Sequence, residues 1–356
     1  MQWTLLPLLY WLLPPSRRSD STTRLWERKK KKEQDVIPGK TSAIPGATDF
    51  ALDPAATEAS WLQSATDTER KVFQYTQQGL DSLKALKLEQ AEASFDAVWA
   101  LKPDAYVWQA GIVQFYLGHY DKAAEILARN AQWYESRFGD PASEERIWRH
   151  ASELKYRSSM DKKKRSTLPR HLAAVPETDL TETRKVLRMA RDLLEASVED
   201  DYARMILAKA KLRAVCQVEP GKPALDRKLW KLSSWFYLGL HYDVVGEEEA
   251  SKECMKMALR LCPSAGKSND IVQTLPLLHM SVRDWFDDDE LGEGGLPDTG
   301  FLESIESGVE DLRFVELQQA LKLRGLPYTT GSKEVLKERL LQSLLRDVGL
   351  DDGSAP

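Results

Sequence analysis

From Trp61 onward the chain carries apolar residues at helical spacing, and the pattern repeats. Gly79, Ala91 and Phe95 return thirty-two residues on as Gly111, Ala123 and Leu127. A period of this size constrains the fold more than composition does. Each unit is a helical pair that cannot bury its apolar face alone, so it must stack on the next. Tyr75 precedes the first glycine, Pro103 stops the second helix of that unit, and Gly118-His119-Tyr120-Asp121-Lys122-Ala123 supplies a tight turn. Further along, Trp235, Leu238, Gly239, Tyr242, Gly246, Met255, Ala258 and Pro263 repeat the spacing once more.

These markers resemble the tetratricopeptide repeat, with Ser251 standing where that family usually has Ala. The resemblance implies an all-α helical solenoid over residues 61–286. It also implies that Phe73, Trp108, Phe115 and Phe236 line an apolar groove for an unidentified protein or peptide, unless the array closes on itself or is covered by its own divergent helices. The positions that form a carboxylate clamp in chaperone-binding relatives include Thr76 and Leu80, so a chaperone-tail receptor is not expected. Between the repeats, Asp140 and Pro141 read as N-cap and first residue of a helix running to Ser158. Further helices are expected over 181–197 and 200–216 as a divergent pair, and over 269–286 as a capping helix.

The C-terminal stretch is a second, shorter signal. Leu312, Leu317 and Leu321 fall at helical spacing, Arg324-Gly325-Leu326-Pro327 ends that helix, and Ser332 precedes another that carries Val335, Leu336 and Leu340 as its apolar face. With Gly331, Lys333 and Arg339 also in register, the stretch resembles the SAP motif, a small helix-turn-helix module that in its family usually binds DNA and sometimes RNA. The resemblance covers 309–348 and departs from the family pattern at Gln318, Gln319 and Ser332. It implies nucleic-acid contacts from Arg313, Lys322, Arg324, Lys333 and Lys337, with the backbone of Thr330, Gly331, Ser332 and Lys333 turned toward phosphate. Glu316, Glu334 and Glu338 dilute the patch. About three phosphate contacts give a log–log salt slope near −3 on duplex DNA, hence weak, salt-sensitive binding.

Composition narrows the rest. A formal net charge of −5 confines any nucleic-acid contact to local patches. Residues 287–308 read as an acidic flexible linker and 349–356 as a disordered tail. Residues 1–60 read as a disordered leader. Its apolar start interrupted by Pro7 and its Ser/Arg-rich continuation suggest plastid targeting, while Arg28-Lys29-Lys30-Lys31-Lys32 suggests the nucleus as the alternative. The apolar start is too short to span a bilayer, so stable membrane insertion of the mature chain is not expected.

Three cysteines, Cys216, Cys254 and Cys262, lack metal or redox spacing and read as buried thiols. The five histidines lack ligand spacing, so no metal is expected. Ala265-Gly266-Lys267-Ser268 lacks the first glycine and the strand of a phosphate-binding loop. Neither an enzyme, a cofactor nor a small-molecule substrate is expected. The chain reads as an adaptor joining a protein partner to DNA or RNA in organellar or nuclear gene expression. The alternative is a protein scaffold whose C-terminal hairpin contacts protein and not nucleic acid.

Overall fold

The computed structural model describes residues 65–160, 180–217, 224–262, 271–286 and 301–348. The leader, the basic runs at 28–32 and 162–165, Pro263, the stretch 265–268 and the tail fall outside them. Among the described residues the regular structure is thirteen α-helices with no strand, the all-α class expected. No described helix is long and apolar enough to cross a membrane.

The described backbone divides into two compact units, residues 65–78 with 96–105 in one and residues 79–95 with the described residues from 106 onward in the other. The first holds the opening of α1 (Asp67–Lys84) and the end of α2 (Leu88–Leu101). Thr66 and Glu69 form a reciprocal cap there: the Glu69 N–H donates to the Thr66 hydroxyl at 3.2 Å, and the Thr66 N–H to the Glu69 carboxylate at 2.8 Å. At the far end, the Trp99 indole N–H donates to the Ala105 carbonyl at 3.2 Å.

In the second unit the repeat markers become geometry. Helix α3 is Gln109–Tyr116, α4 Tyr120–Phe138, α8 Ala224–Val245 and α9 Glu248–Arg260. A Cβ on Gly111 would lie 2.5 Å from Leu127 Cγ, and one on Gly239 would lie 2.9 Å from Met255 Cε. Gly79 meets the Phe95 ring in the same way. In each case the partner is sixteen residues ahead; a Cβ would displace the Phe95 ring or the branch of Leu127, whereas at Gly239 the flexible end of Met255 could give way. Seven residues past each of these glycines the chain turns through positive φ, at Leu86 (61°), Gly118 (84°) and Gly246 (89°). Ser251 is fully buried, and its hydroxyl donates to the Gly239 carbonyl at 2.7 Å, so the polar group costs little there.

Helix α5 (Ser143–Ser159) packs against α3, α4, α8 and α6 (Lys185–Glu199). It is buried almost all round, including Trp148, Glu145, His150 and Glu153. It begins after Ala142, not at Pro141 as the sequence suggests. The reason is local: Gly139 ends α4 in the left-handed conformation, and the Glu135 carboxylate then takes the Ala142 N–H at 3.2 Å and Arg146 Nε at 2.7 Å. The expected helices at 181–197 and 200–216 start later, as α6 and as α7 (Tyr202–Gln217). The helix expected over 269–286 is α10 (Ile271–Val282). Asp243 on α8 ties it to the core, accepting from Lys155 at 3.0 Å and from Arg283 at 2.9 Å, while the Tyr116 hydroxyl pairs with His279 Nδ1 at 3.1 Å. Burial outweighs the Asp243 charge and pushes the His279 pKa down to about 3, so this histidine is neutral.

Helix α7 explains where the C-terminal segment goes. It is apolar on more than one side, and a helix of that kind must be covered on each. Helices α6 and α8 lie against it, and so do α11 (Phe301–Glu310), α12 (Phe314–Leu323) and α13 (Lys333–Asp347). Ala203, Ile206, Leu207 and Ala210 of α7 share one core with Ile305, Val309, Leu317, Leu321, Leu336, Leu340 and Leu344. The linker expected over 287–308 is therefore helical from Phe301 onward, and the C-terminal hairpin is docked and not tethered. Gly308 is the point of closest approach: a Cβ there would lie 3.0 Å from Ile206 Cγ1 and Cγ2.

Candidate nucleic-acid interface

The C-terminal hairpin is built from two helices running in the same direction. At one end, Arg324 after α12 bonds the Ser343 hydroxyl at 2.8 Å and pairs with Asp347, both late in α13. At the other end, Lys333 opening α13 lies close enough to help stabilise the Glu316 carboxylate in the first turn of α12. The connection 325–332 must return along the pair. It is pinned on the way by Gln318, which donates to the Tyr328 carbonyl at 3.2 Å, and by Arg339, which donates to the carbonyls of Pro327 and Thr330. Gly331 has φ +118°, and a Cβ there would sit 2.8 Å from Val335 Cγ1. That glycine is required twice over, by conformation and by space.

The exposed segment Thr330, Gly331 and Ser332 leads into Lys333 as the first residue of α13. Ser332 is the N-cap residue, although its side chain makes no cap hydrogen bond. Three of the five expected basic contacts already have carboxylate partners. Arg313 donates to Glu316 from both its backbone N–H and its guanidinium, Arg324 pairs with Asp347, and Lys337 with Glu310 of α11. Burial pushes the Glu316 carboxyl up, but the Arg313 side chain and N–H outweigh it and hold the pKa below the ordinary value. Glu334 is also held low, first by its own backbone N–H. Lys322 and Lys333 make no ion pair among the described residues, and they lie at opposite ends of the pair.

Apolar exposure concentrates in the same hairpin. Phe314 is 43%, Val315 69%, Leu323 57% and Val335 46% accessible. Val335 was expected to face α12. Instead Leu336, Leu340 and Leu344 take that face, because a helix cannot turn neighbouring residues to one side.

The apolar groove expected of the helical array is filled by the chain itself. Phe115 and Phe236 are fully buried on Trp148 of α5, with ring centroids 5.3 and 6.0 Å away. Trp108 is half-buried in the second unit, and Phe73 is buried within the first. The groove assignment is thus corrected. An open concave face would leave Phe115 and Phe236 in water, and Trp148 removes them from it. The residues that sequence reasoning missed are the counter-charges Glu310 and Asp347 and the exposed ring of Phe314. Arg339, noted for its register alone, proves to be the staple of the loop.

Among the described residues no three His, Cys, Asp or Glu side chains gather to hold a metal. All three cysteines are free and buried, and burial raises the Cys216 and Cys254 thiol pKa values. No family model matches the chain, and neither does any curated protein or solved structure.

Proposed function

We propose that the chain is a non-enzymatic adaptor, in which a tetratricopeptide-like helical body that engages protein presents a SAP-like hairpin to nucleic acid. The observation that supports this best is the exposed entry to α13: Gly331 in a conformation that suits glycine, a loop stapled by Arg339, and Lys333 with no ion pair among the described residues. A phosphate approaching that end meets the first N–H groups of α13, one of them shared with the Glu334 carboxylate, and the Lys333 ammonium. With the Phe115 and Phe236 side chains buried, a protein partner would have to use the outer surface of the body. The leader composition keeps plastid, or alternatively nuclear, gene expression as the proposed setting.

The docked geometry changes the expected strength. With two lysines that make no ion pair among the described residues, instead of about three phosphate contacts, the duplex salt slope falls to about −2. Titrating the intact chain with labelled single-stranded DNA, duplex DNA and RNA at several salt concentrations, beside Lys333→Glu, tests the reading. Binding that weakens with salt and is lost in the variant supports it. Absent binding, or binding indifferent to salt and to the variant, overturns it. The exposed apolar side chains Val315 and Leu323 favour a second reading, in which the hairpin docks protein; it predicts that second result.

A further inference from the structure

The two helices of the hairpin run in the same direction, so Phe314, the first residue of α12, and Lys333, the first residue of α13, share one end. Phe314 is 43% accessible there, and Val335 beside the α13 entry is 46% accessible. Duplex DNA has little use for this arrangement. Its bases are stacked on one another and offer only their edges and a charged backbone, which a surface with few free cations holds poorly. Here Arg313, Arg324 and Lys337 are paired with Glu316, Asp347 and Glu310. An unstacked base, in contrast, offers a π-face that an exposed aromatic ring can cover, and such stacking supplies affinity that charge does not.

Resting on the nucleic-acid reading above, we propose that this end of the hairpin takes a single-stranded nucleic acid, with a base on the Phe314 ring and the adjoining phosphate at Lys333. Lys322 lies eight residues along α12, about 12 Å at the helical rise, and takes a phosphate further down the same strand. Of the carboxylates nearest the site, Glu316 is held by Arg313, while Glu334 takes its own backbone N–H and competes with phosphate at the α13 entry, so the stack on Phe314 has to carry most of the affinity.

The test uses the full chain with fluorescent oligo(dT), oligo(U) and a duplex of equal length. The proteins are wild type, Phe314→Ala, Phe314→Trp and Lys333→Glu, with thermal unfolding confirming that each is folded. The expected result is a preference for the single strands that falls by about 5- to 100-fold in Phe314→Ala, survives in Phe314→Trp, and is lost in Lys333→Glu. The stronger of the two single-stranded arms says whether the strand is DNA or RNA. Duplex binding as tight as single-strand binding, or an unchanged single-strand affinity in Phe314→Ala, overturns the proposal and leaves the broader nucleic-acid reading standing. No binding to any of the three probes overturns both.

Discussion

Glu145 offers a measurement of the body's internal electrostatics with a definite sign. It lies on α5 with 3% of its surface accessible, accepts a hydrogen bond from the Tyr106 hydroxyl, and has Glu144, Tyr134 and Arg184 as its other charged or titratable neighbours. Burial, reinforced by Glu144, pushes its pKa from 4.5 up to about 7, against the lowering effect of the Tyr106 hydrogen bond and Arg184. Below pH 4.5 the carboxyl is protonated in both folded and unfolded chains. Between there and about pH 7 the unfolded chain releases the proton while the folded chain keeps it, so stability falls with rising pH. The slope is about 1.4 kcal/mol per pH unit, and the total loss above pH 7 is about 3 kcal/mol. Glu145→Gln removes this dependence while keeping an acceptor for Tyr106. Carboxylates held low in the fold, such as Asp243 and Glu195, contribute the opposite slope, and the comparison with the variant cancels them. Urea unfolding of both proteins at pH 5, 6, 7 and 8 reads the difference. The variant is expected to gain on the wild type as pH rises, becoming the more stable at pH 8. A stability difference that stays flat from pH 5 to 8 would refute a buried carboxyl titrating near neutrality.

Three other consequences can be checked directly. Gly111→Val places a side chain where the Leu127 branch already sits, so it should cost about 1–3 kcal/mol or more in urea unfolding, with the same change at exposed Gly118 acting through backbone strain alone. Glu310→Gln releases Lys337 to phosphate and should steepen the duplex salt slope from about −2 to about −3, read by anisotropy titration. Ile206→Ala empties the notch against Gly308 and should cost about 2–5 kcal/mol, with hydrogen exchange rising first in α11 to α13; equal rises in α3 to α5 would contradict a local docking face.

The parts of the fold legible in the sequence were those in which one residue type answers one local demand. Gly79, Gly111 and Gly239 could be read because each lies where two helices touch sixteen residues apart and a Cβ would press on the partner side chain, and that spacing survives in the chain. The thirty-two-residue recurrence and the leucines of the C-terminal hairpin were legible for the same reason. Helix α11 was not. Its glutamates and Gly308 resemble a linker, and only the presence of Ile206, about a hundred residues earlier, turns that glycine into a packing surface. The groove failed in the opposite direction: Phe115 and Phe236 were expected to line it, but Trp148 from an intervening helix covers them. At the candidate interface the basic residues could be named, yet not their neutralisation. Lys337 and Glu310 are each an ordinary exposed charge in sequence until the fold brings them together.

Docking also changes what the hairpin is able to do. Alone, a segment of this size has too little core to be secure, and its buried leucines would close on one another without a further wall. Helix α7 supplies that wall through Ala203, Ile206, Leu207 and Ala210, so the hairpin's stability is drawn from the helical body. A truncated body ending before residue 301 would leave those side chains in water, and an isolated hairpin would lose the same contacts, so neither half is a fair test of the whole. The fixed seat also removes the freedom a tethered module would use to search for a ligand. In exchange it sets the direction of the α12 and α13 entries relative to α6 and α7, where Gln319 bonds the Asp200 carbonyl at 3.0 Å and Tyr202 lies beside Arg313. Any strand held at Phe314 and Lys333 would therefore leave along a path the body dictates. Its affinity would depend on residues of α7 that never touch it, and that dependence separates a docked reader from a tethered one.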